Sequence, residues 1–340
     1  MDLSIVIVSY NTQALLEVCL ETLAAEATRP ASPRFEVLVV DNASTDESAR
    51  LVRARFPGVQ LIETDRNLGF AAANNLAFPH CRGRYLMLLN ADTEVGPGAL
   101  ATLVGFLDAH PGVGGAGPRL LNPDGSGQPS GFPFPTLLEA AVGLILHNQR
   151  AARRQLPDAR RLSPVRTGGS SHAQRLAHAF PGVRRLESGD GEQSDHERHD
   201  WLTGACLVVR REVLETVGTL DERFFFEAED VDWCRRIRAA GWEICLVPAA
   251  RVTHVRSASG IGFSPDALLG HAGHCYYFRK HHGRAAGAVM GAAFWLYHLL
   301  GWVKYTLRVL LHNDPGDRRK RHVHRLGIHY FAALRGKGLR

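Results

Sequence analysis

Between Arg223 and Trp242 the sequence reads RFFFEAEDVDWCRRIRAAGW, three phenylalanines followed by Glu227, Glu229, Asp230 and Asp232. An apolar run seeks the core, and burying unpaired carboxylates with it is costly. Such acids either decorate a helix start, where orphan amides and the dipole favour negative charge, or line a cleft where a carboxylate takes up a proton. Capping accounts for one acid but not for four. If Asp230 opens the helix, Asp232 lies about 200° further round, so one carboxylate can face a cavity while the other meets solvent or an arginine such as Arg235 or Arg236. Three more polar clusters follow apolar runs: SYN (Ser9 to Asn11), DNASTD (from Asp41) and NADTE (from Asn90, with Asp92). Ser44 and Glu47 have the spacing of a capping box, which leaves Asp41 unexplained and gives it a functional reading.

The elements that must position these residues are legible in the hydrophobic pattern. LSIVIVS, FEVLVV, VQLIE and YLMLLN are continuous apolar runs, as expected of strands buried on both faces. Helical patterns separate them at 13–25, 46–56, 70–78 and 97–110. The alternation predicts an α/β fold with a mostly parallel central sheet flanked by helices, and in such sheets ligands bind beyond the carboxyl ends of the strands. The polar clusters sit at those ends. Downstream, 201–209 reads as strand, 211–217 as helix, 231–240 as helix and 243–248 as a short strand. GVGGAG at 112–117 fits a dinucleotide fingerprint, but no helix opens at its third glycine, so a diphosphate has no cradle there and a dehydrogenase is excluded. The stretch 148–200 is polar, Arg-rich and without apolar periodicity, which predicts a mobile loop or insertion.

The chain has 340 residues, 45% hydrophobic and 22% charged, with a formal charge of +6. The basic excess is concentrated after residue 313, where eight Lys or Arg face two Asp behind an apolar segment. That pattern suits an anionic membrane surface at least as well as nucleic acid, and no nucleic-acid partner is expected. The six cysteines are scattered without a C-x-x-C pair and read as buried thiols of a reducing compartment. The N-terminus reads as a first strand and not as a signal peptide.

In order and approximate spacing, IVIVSYNT, VVDNASTD, RNLGFAAANN, LLNADTE, WLTGACLVVRREVLETVGTLDERFFFEAEDVDWCRRIRAAGW and VTHVRSASG resemble the inverting family 2 glycosyltransferases of the GT-A (nucleotide-diphospho-sugar transferase) fold, and most of all their bacterial rhamnosyltransferase-like branch. The resemblance covers residues 3–283 and leaves 148–200 outside it. It implies a nucleotide-diphosphate sugar donor held by Ser9, Asn11, Asp41, Asn67, Asn74, Asn90 and Asp92. Asn90, Ala91 and Asp92 stand where the family carries Asp-x-Asp, so Asp92 is the carboxylate left for a divalent cation, Mg²⁺ or Mn²⁺, with His254 supporting the metal or the diphosphate. Asp230 is implied as the general base, Glu229 as a catalytic partner that orients it or contacts the acceptor, and Trp201, Gly204 and Glu229 as the acceptor side.

Residues 285–303 carry no formal charge and reach the threshold length for a membrane span. Their glycines, their histidine and their aromatic residues suit an interface helix as well, and a packed core helix is the third reading. A C-terminal helical extension at 284–340 is therefore expected beside the catalytic domain at 1–283. A glycan or lipid-linked glycan acceptor at the cytoplasmic face of the inner membrane, in cell-surface polysaccharide synthesis, fits the first two readings. The rival of a different class is a non-catalytic nucleotide-sugar or glycan-binding protein with a decayed site. Two enzyme rivals lack support: a processive synthase would add a Q-x-x-R-W motif and several long spans, and a nucleotidyltransferase would place a Gly-rich basic loop where YNTQALLE stands.

Overall fold

The computed structural model describes residues 1–144, 195–255 and 267–337. The described residues through Phe134, together with 195–255, form one compact unit, and those at 135–144 and from 267 onward form a second.

The first unit opens with β1 (Leu3–Ser9), α1 (Gln13–Ala27), β2 (Phe35–Asp41), α2 (Ser48–Arg55), β3 (Gln60–Glu63), α3 (Phe70–Ala77), β4 (Tyr85–Asn90), β5 (Thr93–Val95) and α4 (Ala99–Ala109). There follow β6 (Val113–Leu121), β7 (Gly127–Gln128), β8 (Gly131–Phe132), β9 (Glu197–His199), β10 (Trp201–Leu202), β11 (Cys206–Arg210), α5 (Arg211–Val217), α6 (Glu229–Ala239) and β12 (Glu243–His254). The main sheet runs β3-β2-β1-β4-β11-β6-β12-β5, with β7 on β6 and β9 on β12, while β8 and β10 form a separate ribbon.

Alternate residues of each central strand feed opposite faces. Leu3, Ile5 and Ile7 of β1 pack with Leu16, Leu20 and Leu23 of α1 and Leu100, Leu103 and Leu107 of α4. Val6 joins Leu38, Val40, Leu86 and Leu88 against Ala71 and Ala73 of α3 and Trp233 and Ile237 of α6. Cover on both faces is why these strands read as unbroken apolar runs.

The expected α/β fold is present, with a continuous parallel block of β3, β2, β1 and β4. From β11 onward the sheet is mixed: β11 runs antiparallel to both β4 and β6, and β12 is parallel to β6 but antiparallel to β5 and β9. Three further expectations change. The strand at 201–209 is two strands broken at Thr203–Ala205, because Trp201–Leu202 pairs with β8 and Cys206–Arg210 with β4. The short strand at 243–248 runs on to His254: through an irregular ladder it keeps β6 as a partner as far as Thr253, and it pairs besides with β9 at Ile244–Leu246 and with β5 at Val252–His254. The capping box is not formed. Ser44 Oγ accepts from Asn11 N, and helix α2 starts later, at Ser48, whose N–H donates to Asp46 Oδ1.

The GVGGAG stretch is strand β6, and its glycines serve packing: a Cβ on Gly114 would lie 2.6 Å from Cβ of Trp242. Of the loop expected at 148–200, most lies outside the described residues, and its last residues are β9. Residues 256–260 of the VTHVRSASG motif also lie outside them. All six cysteines are buried and unbridged.

The second unit contains a helical stretch at 137–144, α7 (Ala267–His312) and α8 (Pro315–Lys337). Gly283 breaks α7 with φ 87° and ψ 171°, so α7 consists of two limbs.

Candidate active site

The first polar cluster gathers at the carboxyl ends of β1, β2 and β4. Ser9 lies opposite Asp41 in the β1–β2 ladder, and Val8 lies opposite Asn90 in the β1–β4 ladder, so the three strand ends are neighbours. Asn11, at φ 53°, accepts from the N–H of Thr45 at 2.7 Å through Oδ1 and ties the loop after β1 to the loop after β2. Asp41 is buried. Its Oδ1 accepts from Ser44 N at 2.8 Å, while its Oδ2 is buried without a hydrogen-bond partner.

Asn42, which sequence reasoning did not single out, organises the next loop. Its Nδ2 donates to Asn67 Oδ1 at 2.9 Å, and its Oδ1 accepts from Leu68 N at 2.8 Å. Asn67 is thus spent on loop geometry, and it also accepts from Gly69 N. Asn74 donates to Phe70 O, and its Oδ1 is a second buried acceptor without a partner. Gly69 has φ 82°, and a Cβ there would stand 2.4 Å from Phe225 O, to which Phe70 N donates at 2.8 Å. This approach docks the FFF segment against the loop before α3, and only glycine permits it.

The second cluster joins β4, β5, β7 and β12. His254 Nε2 lies 3.2 Å from Asp92 Oδ1 and 3.4 Å from Asn90 Nδ2, and its Nδ1 lies 2.8 Å from Gln128 Oε1. Gln128 Nε2 donates to Asn122 Oδ1 and His254 O, which assigns Oε1 as the acceptor and Nδ1 of His254 as the N–H. Nε2 thus faces the Asp92 carboxylate, and a carboxylate beside an imidazole oriented from behind is a donor set that fits a divalent ion. Gln128 was missed because it sits in the aperiodic NPDGSGQPSG and reaches its partner across 126 residues of chain.

The third cluster is the acidic turn. Glu227 and Ala228 have φ of 66° and 71°, two successive left-handed residues without a glycine, which is a strained entry to α6. Phe224 beneath them is fully buried and anchors the turn. Asp232 pairs with Arg236 at 2.9 Å and is completely buried, so it is spent on structure. Asp230 differs. Its Oδ2 accepts from Gly204 N and its Oδ1 from Val231 N, both at 2.8 Å. Burial raises the pKa values of Glu227, Glu229 and Asp230, that of Glu227 to about 8. For Asp230 the two amides oppose that push, whereas Glu229 is raised further by the Asp230 charge and has a buried Oε2 without a hydrogen-bond partner. When the cluster carries one negative charge, the amides therefore place it on Asp230.

Asp230 and Asp92 belong to one end of the sheet. Gly204, which donates to Asp230, precedes Ala205, whose carbonyl accepts from Asn90 N at 2.9 Å, and Asn90 leads to Asp92. Trp201 stacks on Phe132 with centroids 4.7 Å apart, and its indole N–H donates to Pro133 O. Its indole nitrogen is thus already engaged, while Gly204 meets Asp230 directly.

The mixed sheet flanked by helices, with the Asp92–His254 pair and the half-buried Asp230 at one end, has the architecture of the GT-A glycosyltransferases. The model of Glycosyl transferase family 2 matches residues 4–141. The chain is 30% identical over 278 residues to N-acetylglucosaminyl-diphospho-decaprenol L-rhamnosyltransferase of Mycobacterium tuberculosis (strain ATCC 25618 / H37Rv), covering 78% of this chain and 80% of that protein. It is 29% identical over 263 residues to the O-antigen biosynthesis protein RfbC of Myxococcus xanthus, covering 75% of this chain and 17% of that one. Among solved structures, GalNAc-T7 with UDP, GalNAc and Mn²⁺ superposes with a TM-score of 0.54 at 16% identity, covering 100% of this chain and 58% of that one. Mannosyltransferase PcManGT of Pyrobaculum calidifontis, in complex with GDP-Man and Mn²⁺, gives 0.50 at 17% identity, covering 98% and 87%. The protein belongs to the family 2 glycosyltransferases and is a transferase enzyme.

Proposed function

We propose that the protein moves a sugar, rhamnose being the first candidate, from a nucleotide-diphosphate donor to a hydroxyl of a lipid-linked glycan acceptor with inversion at the anomeric carbon. The observation that carries this reading is the pair of backbone amides, of Gly204 and Val231, that the Asp230 carboxylate accepts, on the same sheet end as the Asp92–His254 pair. The relative named for transfer of L-rhamnose to a decaprenol-linked diphospho-sugar supports the donor and acceptor classes.

On the donor side, the unsatisfied Oδ2 of Asp41 and Oδ1 of Asn74 are acceptors for N–H or O–H groups of the nucleoside. Asp92 and His254 would hold the divalent ion, Mg²⁺ or Mn²⁺, with Gln128 fixing the imidazole and Asn90 beside it. When bound, the ion neutralises the charge that grows on the leaving diphosphate. On the acceptor side, Asp230 accepts the proton of the attacking hydroxyl as the new bond forms. Glu227, pushed up to about 8, keeps its proton near neutrality, and burial beside the Asp230 charge pushes Glu229 up as well, which favours the negative charge on Asp230. Gly204 lets its amide reach that carboxylate, and Trp201 flanks this side.

An acceptor carried on a polyprenyl diphosphate places the enzyme at the cytoplasmic face of the inner membrane. The test is turnover of a panel of nucleotide-sugars with polyprenyl-diphosphate-linked acceptors, with and without Mn²⁺. Metal-dependent transfer from dTDP-rhamnose supports the reading, and no transfer from any nucleotide-sugar sinks it.

A further inference from the structure

In the second limb of α7, which follows Gly283, the exposed large apolar residues are Val289, Leu300, Val303, Leu307, Leu310 and Leu311; the last three are 56%, 75% and 76% exposed. At about 100° per residue all six fall within one sector about 100° wide. The opposite side is used by α8. Phe294 stacks on Phe331 at 5.4 Å, Tyr305 on His324 at 5.5 Å, and a Cβ on Gly301 would lie 2.3 Å from the His324 ring. The limb thus has a sealed face and, opposite it, an apolar face covered by nothing among the described residues.

The charge beside that face is one-sided. From Lys304 to Arg325 there are seven Lys or Arg and two Asp. Asp317 is spent inside the hairpin on Arg308 and Lys320. Lys304 lies about 20° beyond the edge of the apolar sector. Arg318, Arg319 and Arg321 follow within the first two turns of α8, just after the exposed Leu310–Leu311 pair.

We propose that this face, together with the start of α8, docks on an anionic lipid bilayer, with the leucines entering the acyl boundary and the arginines meeting phosphate headgroups. An interfacial pose suits the helix and a spanning pose does not. Only a third of its circumference is apolar and exposed, while the sealed side carries the buried imidazoles of His298 and, from α8, His324. The apolar composition that brings α7 within reach of a membrane span, a mean hydropathy of 1.3, is shared between the seam with α8 and this outer stripe. The inference deepens the proposed lipid-linked acceptor by bringing the enzyme to the surface that displays it, and its test needs neither donor nor acceptor.

The experiment is flotation of the full chain with vesicles of phosphatidylcholine alone or mixed with phosphatidylglycerol. Wild type is expected to partition about tenfold more strongly to the anionic vesicles and to lose that preference in high salt. Leu310→Asp with Leu311→Asp, at two solvent-facing sites that leave the fold intact, reduces partitioning about tenfold or more, and Arg318→Glu with Arg319→Glu does likewise. Nucleotide-diphosphate binding by the same variants stays at the wild-type level, which separates this result from the fate of the transferase reading. Equal flotation of wild type and both variants overturns the proposal. So does a wild type that ignores anionic vesicles but forms a dimer that the leucine substitutions dissolve, because the occupant is then a second copy.

Discussion

The two halves of the candidate site hold their carboxylates by different means. Asp92 meets a side chain, His254, which is itself aimed by Gln128 and closed off by Asn122, so its geometry depends on a relay of residues distant in sequence. Asp230 meets backbone, the amides of Gly204 and Val231, at the mouth of a strained turn that Phe224 anchors. A site for an ion has to orient ligands and tolerate charge, and a relay of neutral polar groups does both. A proton acceptor has to stay ionised among buried neighbours, and fixed amide dipoles favour its charged form without adding a group that titrates.

The contrast can be broken by mutation, from large effects to small. Asp230→Asn keeps an oxygen for Gly204 N but removes the proton acceptor, so kcat is expected to fall about a thousandfold with the fold intact, read by steady-state turnover and thermal melting. Gly69→Ala forces a side chain onto Phe225 O at a backbone conformation few residues adopt. It should lower stability by about 3 kcal/mol in urea titration, with the damage centred on the acidic turn. Gln128→Ala frees the imidazole and should raise the metal concentration needed for half-maximal activity about tenfold, while kcat at saturating metal is retained.

The smallest effect concerns pH. Glu227 has its pKa pushed up from the ordinary 4.5 to about 8 by burial, with the Asp230 charge adding to the shift. The folded protein therefore binds this proton more tightly than the unfolded chain, so the stabilisation is complete below about pH 4.5 and is lost as pH rises through about 8. Glu227→Gln should flatten this part of the stability–pH curve. An unchanged slope would show that Glu227 is ionised at neutral pH and remove it from the proton-holding role.

Much of the first unit was legible because its strands are buried on both faces and its helices follow short polar loops. β1, β4 and α5 begin and end where the apolar pattern places them. The long reach of β12 was not legible, since ARVTH after Pro248 has no strand periodicity of its own and is extended only by pairing with β6 and β5. The capping spacing of Ser44 and Glu47 misled for a related reason: a loop partner, Asn11, competes for the serine hydroxyl, and only the folded chain supplies it. At the site, side chains on strand ends were readable one by one, whereas Asn42, Gln128 and Glu227 matter through partners that spacing does not reveal. The second unit offered composition without pattern, and its apolar stripe emerged only once α8 was seen to cover the opposite face.

The most direct test of the central division is metal-dependent binding of the donor nucleotide diphosphate, measured by calorimetry on Asp230→Asn and Asp92→Ala. The structure predicts that Asp230→Asn binds nucleotide and Mn²⁺ as wild type does, while Asp92→Ala loses the metal-dependent part of the affinity. The reverse pattern, or equal loss in both, would contradict a site in which one aspartate serves the ion and the other the proton.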